Sequence, residues 1–406
     1  MSYKIESFFS KDLPSPAKKY EGLVKHNFVG GHNSEENIPV DKLAESAKYV
    51  INQQGNNLAL YGHKSGPQGN TSLREFLVSY LKDYVGMNIS IDNILLTSGS
   101  LQALDLINEL ILNKGDTVLV EEATYGGAIS RIESMKVNHV GVKLDNEGIV
   151  IENLVEILEK LKSQNIFPKF LYTIPTVQNP TATIMPNERR KKILEVAEKY
   201  NFLIFEDDCY ADLTWDRKRP KAIFSMSEND RVIYCGSFSK SIAPALRVGF
   251  IVASWPVISQ ILSFKNDGGS GAIEQMLLAD FCKKYYLDHT SKLVKDLQSK
   301  CDVMIESLES EFGSIAEYEY PKGGIFLWIT LPENINTDRL YELASNHHIT
   351  INPGSEWVSN PEAGRHKLRL CFAHPSKEVI REGIQNLAKI CYEEFGIPKI
   401  SGNIER

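Results

Sequence analysis

A chain of 406 residues can bury one large core and a second, smaller one. Its apolar content of 42% and charged content of 24% are those of a globular protein, and a net charge of −7 argues against nucleic acid or an anionic membrane as a partner. No apolar run approaches the roughly 20 residues of a membrane span, and the opening "MSYKIESFFSKDLPSPAKKYEG" carries charge throughout instead of a signal peptide's apolar core, so a cytoplasmic location is expected.

In chain order, residues 12–40 are rich in Pro, Gly, Asn and charge, and read as an arm wrapped over the body. From about residue 90, short β-branched runs alternate with helical periods. "NILLTSG" leads into "SLQALDLINELIL", then "DTVLVEE", "GAISRIESM" and "HVGVKL". "ENLVEILEKLKS" precedes "KFLYTIP", and "NERRKKILEVAEKY" precedes "FLIFEDD", before "RVIYCGS" and "LRVGFIVA" close the series. This alternation predicts a mostly parallel sheet with helices on both faces.

After residue 270 the texture changes. Residues 271–311 hold no Pro and no Gly after Gly271, and read as one long amphipathic helix. "GGIFLWITLP", a helix near 337–346, "KLRLCFA" and a closing helix near 376–394 complete a smaller α+β region. The expected organisation is an N-terminal arm with part of the small domain (1–50), a large α/β domain (51–285) and a small C-terminal domain (286–406). Six cysteines (Cys209, Cys235, Cys282, Cys301, Cys371 and Cys391) show no CxxC spacing, which predicts reduced, mostly buried thiols rather than a zinc site or disulfides.

In an open parallel sheet, ligands gather at the carboxyl ends of the strands. "TSGSLQAL" ends a strand and opens a helix at Gly99 and Ser100, a natural anion site because free N–H groups point outward there. "YTIPTVQNPT" sets Asn179 before Pro180, and "LIFEDDCYADL" runs an apolar strand into Glu206, Asp207 and Asp208, with Tyr210 just beyond. "YCGSFSK" brings Ser237, Ser239 and Lys240, and Arg247 follows seven residues later. Singly, these read as a helix cap, a turn, solvated acids, a core tyrosine and a surface lysine. Together, an anion cradle, a carboxylate, a tyrosine, a lysine and an arginine suit one ligand with a phosphate, a basic ring nitrogen and a carbonyl: pyridoxal 5′-phosphate.

With "TIPTVQNPT", "FEDDCY", "SFSKSIAPALRVGF" and "LRLCF" in this order, the chain resembles the fold-type I aminotransferases of the aspartate aminotransferase superfamily (class I/II). The likeness is greatest to the subgroup with 2-aminoadipate and kynurenine aminotransferases, and spans nearly the whole chain. It implies a large pyridoxal-phosphate domain, a smaller α+β domain and an arm, in a homodimer with shared active sites. It further implies that Lys240 holds the cofactor as a Schiff base, that Asp207 pairs with the ring nitrogen, and that Tyr210 and Asn179 bond the ring oxygen. Ser100, Ser237, Ser239 and Arg247 would take the phosphate, with Leu101 beside Ser100 at the same helix start. Tyr125 would stack on the ring, and Tyr61 would reach the neighbouring subunit's phosphate. Arg369 would clamp the substrate α-carboxylate, with Asn179 and the arm residue Gly31 nearby; no metal is implied.

Three departures stand out. Ala182 follows "NPT" where the subgroup has Gly, Leu101 stands where it often has Gln, and "GGHNSEENIP" replaces its "GGLP" arm. The implied reaction moves an amino group between an L-amino acid, apolar, aromatic or 2-aminoadipate-like, and a 2-oxo acid such as 2-oxoglutarate. The same cofactor chemistry also serves β-elimination and C–S cleavage. Some transcription regulators carry this domain behind a winged helix, but only about 40 residues precede it here, with no helix-turn-helix pattern.

Overall fold

The computed structural model describes residues 4–399, apart from 12, 14, 15, 18 and 21. Helices α1 (Val40–Gln54) and α2 (Thr71–Val85) precede a sheet of seven strands among the described residues. The strands are β1 (Ile94–Thr97), β2 (Thr117–Glu121), β3 (Asn138–Val142), β4 (Phe170–Thr173), β5 (Leu203–Asp207), β6 (Val232–Ser237) and β7 (Gly249–Val252). Their spatial order is β1-β7-β6-β5-β4-β2-β3. The run from β6 to β3 is parallel, and β7 lies antiparallel to both of its neighbours. Because β7 runs backwards, its first residues join the carboxyl ends of the other strands.

The strand runs are apolar without alternation because both faces are covered. On one face Val118, Val120, Phe170, Phe205, Ile233 and Ile251 meet α3 (Ser100–Ile111), α4 (Gly126–Ser134) and α7 (Trp255–Phe264). On the other, Leu119, Leu171, Ile204 and Val232 meet α5 (Ile151–Ser163) and α6 (Asn187–Tyr200). Each such fully buried aliphatic or Phe side chain is worth about 1.5–3 kcal/mol relative to exposure. The sheet is therefore a rigid platform for whatever its edges carry.

Helix α8 (Ala272–Glu311) packs against α1 and α2 at one end and against α10 (Lys377–Phe395) at the other. Residues 285 and 286 lie within its unbroken span, so the expected division between domains falls inside a helix that both sides share. A smaller antiparallel sheet of β8 (Phe326–Thr330), β9 (Asn352–Pro353) and β10 (Lys367–Cys371) has the order β8-β10-β9. It carries α9 (Thr337–Asn346) and α10. The arm joins this region: His26–Asn27 pairs in parallel with Ile349–Thr350, and the carbonyl of the buried Phe28 accepts the Cys371 N–H at 2.8 Å. Those bonds aim the next residues, through Gly31, at the carboxyl edge of the large sheet. Among the described residues no helix is long and apolar enough to cross a membrane, and all six cysteines are free.

Candidate active site

Lys240 leaves the end of β6 in the loop toward β7, and its Nζ donates to the Gly31 carbonyl at 2.9 Å. Among the described residues no carboxylate pairs with it. Burial pushes its amine below the ordinary lysine value, and the charges of Arg369 and Arg247 act the same way. Gly31 matters here for its missing side chain, since a Cβ at that position would overlap the Lys240 Nζ. Its φ is not positive. This glycine makes room for the amine.

Asp207 ends β5 almost fully buried. Its Oδ2 accepts the Tyr172 hydroxyl at 2.7 Å, and its Oδ1 has no partner. Burial raises its pKa, opposed by hydrogen bonds from Cys209 and Tyr172. The Cys209 and Cys235 thiols stand with this carboxylate, one atom of each within 4.8 Å of the others. The next residue, Asp208, also has one orphaned oxygen, but its Oδ2 meets the Arg219 guanidinium at 2.7 Å and the Tyr234 hydroxyl at 3.0 Å. Asp207 is the carboxylate left without a cation.

Asn179 and Tyr210 come together from the loops after β4 and β5: the Asn179 Nδ2 donates to the Tyr210 hydroxyl at 3.0 Å. The Asn179 Oδ1 accepts from Arg369 at 2.9 Å. Arg369 projects from β10 and also donates to the Val29 carbonyl and the Asn352 side chain, each at 2.8 Å, while its Nε has no partner. Its guanidinium lies 3.7 Å from the centroid of the Trp357 ring and 5.2 Å from that of Phe326.

At the other end, Ser237 donates to the Ser239 hydroxyl at 3.0 Å and accepts the Ser239 N–H at 3.1 Å. Arg247, with φ of 50°, donates to the Ser98 carbonyl at 3.1 Å. Gly99, with φ of 77°, caps α3 where a Cβ would overlap that guanidinium. Ser100 thus opens α3 beside Arg247. Leu101 contributes no polar side chain: it packs against the main core, and only its backbone amide belongs to the free first turn. Gln102, one residue on, accepts the Ser98 N–H at 2.7 Å. Tyr125 stands at the start of α4, 6.1 Å between ring centroids from Trp357, close enough for the charges of Asp207 and Arg369 to act on its hydroxyl. Tyr61 is 95% exposed and is not brought to the other candidate residues of this chain.

Residues that sequence reasoning missed include Tyr172, Glu121, Gln178, Asn352 and Trp357. Tyr172 had a signal: a tyrosine inside a fully buried strand must find a partner for its hydroxyl. Glu121, Asn352 and Trp357 come from other elements than the residues they serve, and Gln178, next to Asn179, was passed over within its own motif.

The model of the aminotransferase class I and II family matches residues 27–387. The chain belongs to that family. It is 34% identical over 401 residues to aromatic-amino-acid aminotransferase 1 of Thermococcus litoralis, covering 96% of this chain and 95% of that one. The structure of a kynurenine aminotransferase from Pyrococcus horikoshii superposes with a TM-score of 0.88 at 32% identity, covering 96% of this chain and 98% of that one. That of an α-aminoadipate aminotransferase from Thermus thermophilus, complexed with N-(5′-phosphopyridoxyl)-L-leucine, does so at 0.83 and 29%, covering 91% and 92%. The protein is an aminotransferase dependent on pyridoxal 5′-phosphate, acting between amino acids and 2-oxo acids.

The residues present suit that cofactor. A buried carboxylate without a countercharge calls for a cation, which a protonated ring nitrogen supplies. An amine held below its usual pKa is a better nucleophile toward an aldehyde. Two serines, an arginine and a helix N-terminus suit a phosphate.

Proposed function

We propose that this aminotransferase takes apolar and aromatic L-amino acids as donors and a 2-oxo acid such as 2-oxoglutarate as acceptor, at the site around Lys240. The observation that carries the reading is the pair of buried groups, Lys240 and Asp207, neither with an ionic partner. A merely structural site would not leave both open.

When bound, pyridoxal phosphate supplies an electrophilic carbonyl and an electron-withdrawing ring. Lys240 would hold the group, and its Nζ would move a proton at the substrate Cα. The Gly31 carbonyl orients that amine. Asp207 Oδ1 would keep the ring nitrogen protonated, while Tyr172 occupies the other oxygen. Tyr210 and Asn179 would bond the ring oxygen. Ser100, Ser237, Ser239 and Arg247 would hold the phosphate, helped by the Leu101 amide at the start of α3, and Tyr125 would lie against the ring. Arg369 would take the substrate carboxylate.

The preference for apolar and aromatic donors is supported by the walls. Trp357, Phe326 and Tyr125 crowd the arginine, and the arm offers His32 rather than a second arginine. Burial and the nearby Lys240 lower the pKa of His32, which keeps it neutral. We further assign a cytoplasmic homodimer, with the small domain beginning within α8. Support for the dimer comes from Tyr61 and its exposed apolar neighbours Leu58 and Leu60, which lie on a surface that a second copy would cover.

The test is a donor screen with 2-oxoglutarate as acceptor, followed by single turnover without acceptor. Transamination leaves the amino nitrogen on the protein-bound cofactor. Release of ammonia instead would overturn it in favour of elimination.

A further inference from the structure

The Glu121 carboxylate is wholly buried at the end of β2, and nothing in the chemistry above uses it. Its partners are all neutral donors. Oε1 accepts the Thr173 hydroxyl at 2.7 Å and the Ile174 N–H at 3.2 Å. Oε2 accepts the Gln178 side-chain amide at 2.8 Å and the Thr124 hydroxyl at 3.4 Å. Burial pushes this carboxyl up to about 7, against the pull of those donors. A buried acid of this kind is unfavourable in itself, so its placement asks for a reason.

The loop it holds supplies one. Gln178 also donates to the Ala123 carbonyl at 2.6 Å, and its Oε1 accepts both the N–H and the hydroxyl of Thr181 at 2.8 Å. These bonds grip the chain on both sides of Asn179. The backbone here is strained: Val177, a β-branched residue, has φ of 56°, and Ala182 has φ of 59°. Such conformations persist only where the surroundings over-determine them. The result is that a single amide, Asn179, spans the Tyr210 hydroxyl at 3.0 Å and the Arg369 guanidinium at 2.9 Å.

We propose that Glu121 is a positioning residue for transamination: by holding Gln178 it fixes Asn179 where one side chain serves the cofactor side and the substrate side together. The proposal rests on the roles assigned above to Asn179, Tyr210 and Arg369. It requires that Glu121 act through Asn179 and not beside it. In Glu121→Gln one acceptor oxygen becomes an NH2, so either Gln178 and Thr124 or Thr173 and Ile174 lose their acceptor, and the clasp that holds Gln178 is broken on one side with little change of volume.

The experiment is a double-mutant cycle of Glu121→Gln and Asn179→Ala in the holoenzyme. It is read by kcat/KM for an amino donor and by the pH midpoint of the bound cofactor's absorbance change. We expect Asn179→Ala to lower kcat/KM about 100-fold and Glu121→Gln about 30-fold, with the double variant within about threefold of Asn179→Ala alone. Both single variants should move the absorbance midpoint in the same direction, and the double no further. Losses that multiply, or an absorbance midpoint in Glu121→Gln equal to wild type, would overturn the proposal while leaving the role of Asn179 intact. A wild-type rate and midpoint in Asn179→Ala would instead sink that role, and the proposal with it. If Glu121→Gln does not fold, Glu121→Asp, which draws the carboxylate back from Gln178, takes its place, and the same non-additivity is required of it.

Discussion

Asp207 and Asp208 sit side by side at the end of β5, yet one opens onto the site and the other closes a network behind it. Behind the sheet, Arg219 joins Asp208 at 2.7 Å to Asp212 at 2.8 Å, while Tyr234 donates to Asp208 and Tyr80 and Tyr286 donate to Asp212. Tyr286 also reaches the Ser241 hydroxyl at 3.0 Å, next to Lys240. In front, Asp207 has only neutral donors, and Lys240 has only a carbonyl. Both aspartates keep one orphaned oxygen, so an orphan atom alone does not mark the site. An orphaned oxygen together with a missing countercharge does. A buried network satisfied from within holds shape, and a buried charge left open holds a ligand.

The sharpest way to break this comparison is to remove the open charges. Lys240→Ala should lower transamination by about 10⁵-fold or more, because the anchor and the proton carrier are lost together. Borohydride reduction of the wild type should attach the cofactor to Lys240, and label on any other lysine would refute the assignment. Asp207→Ala should lower kcat by about 10³-fold, with cofactor retained through the phosphate contacts.

The closed side should answer differently. Asp208→Asn leaves Arg219 with one carboxylate fewer, and should destabilise the fold by about 3 kcal/mol while kcat per folded molecule stays near wild type. Thermal melts beside active-site titration check both parts. If Asp208→Asn were the catalytically crippling change and Asp207→Ala the benign one, the two faces would be reversed. Arg369→Lys follows in size: lysine lacks the planar fork, so KM should rise about 10–100-fold for donors and acceptors alike. A rise confined to one substrate class would mean that the guanidinium reads side chains instead.

How far the sequence foretold this depends on distance along the chain. Ser237, Ser239, Lys240 and Arg247 share one loop, and Asp207 and Tyr210 share another, so local motifs carried the cradle, just as strand–helix alternation carried the parallel sheet. The closed network joins Asp208, Asp212 and Arg219, neighbours in one loop, to Tyr80, Tyr234 and Tyr286 from separate elements, and no local pattern brings those tyrosines in. The same holds for Glu121 with Gln178, and for Asn352 with Arg369. Leu101 and Gly31 show a subtler limit. Position in a motif put both near the cofactor, but packing decides what each does there: Leu101 turns its side chain to the core, and Gly31 gives space to an amine.

Glu121 offers the finest test, because it is a third kind of buried carboxylate, held by neutral donors alone and facing no ligand. Its pKa is raised from 4.5 to about 7. A raised folded-state value contributes stability that is fully present below pH 4.5 and is lost as pH rises through about 7. The glutamine of Glu121→Gln does not titrate, so the stability advantage of wild type over that variant should shrink by about 2 kcal/mol between about pH 5.5 and about pH 8. Glu206 is also raised to about 7, but both proteins carry it, so it cancels in the difference. Paired melts at the two pH values give the answer. A constant gap would mean that Glu121 does not titrate in this window. That constancy would mean that the donors outweigh burial and hold the carboxylate ionised across the window, placing Glu121 with the satisfied network behind the sheet.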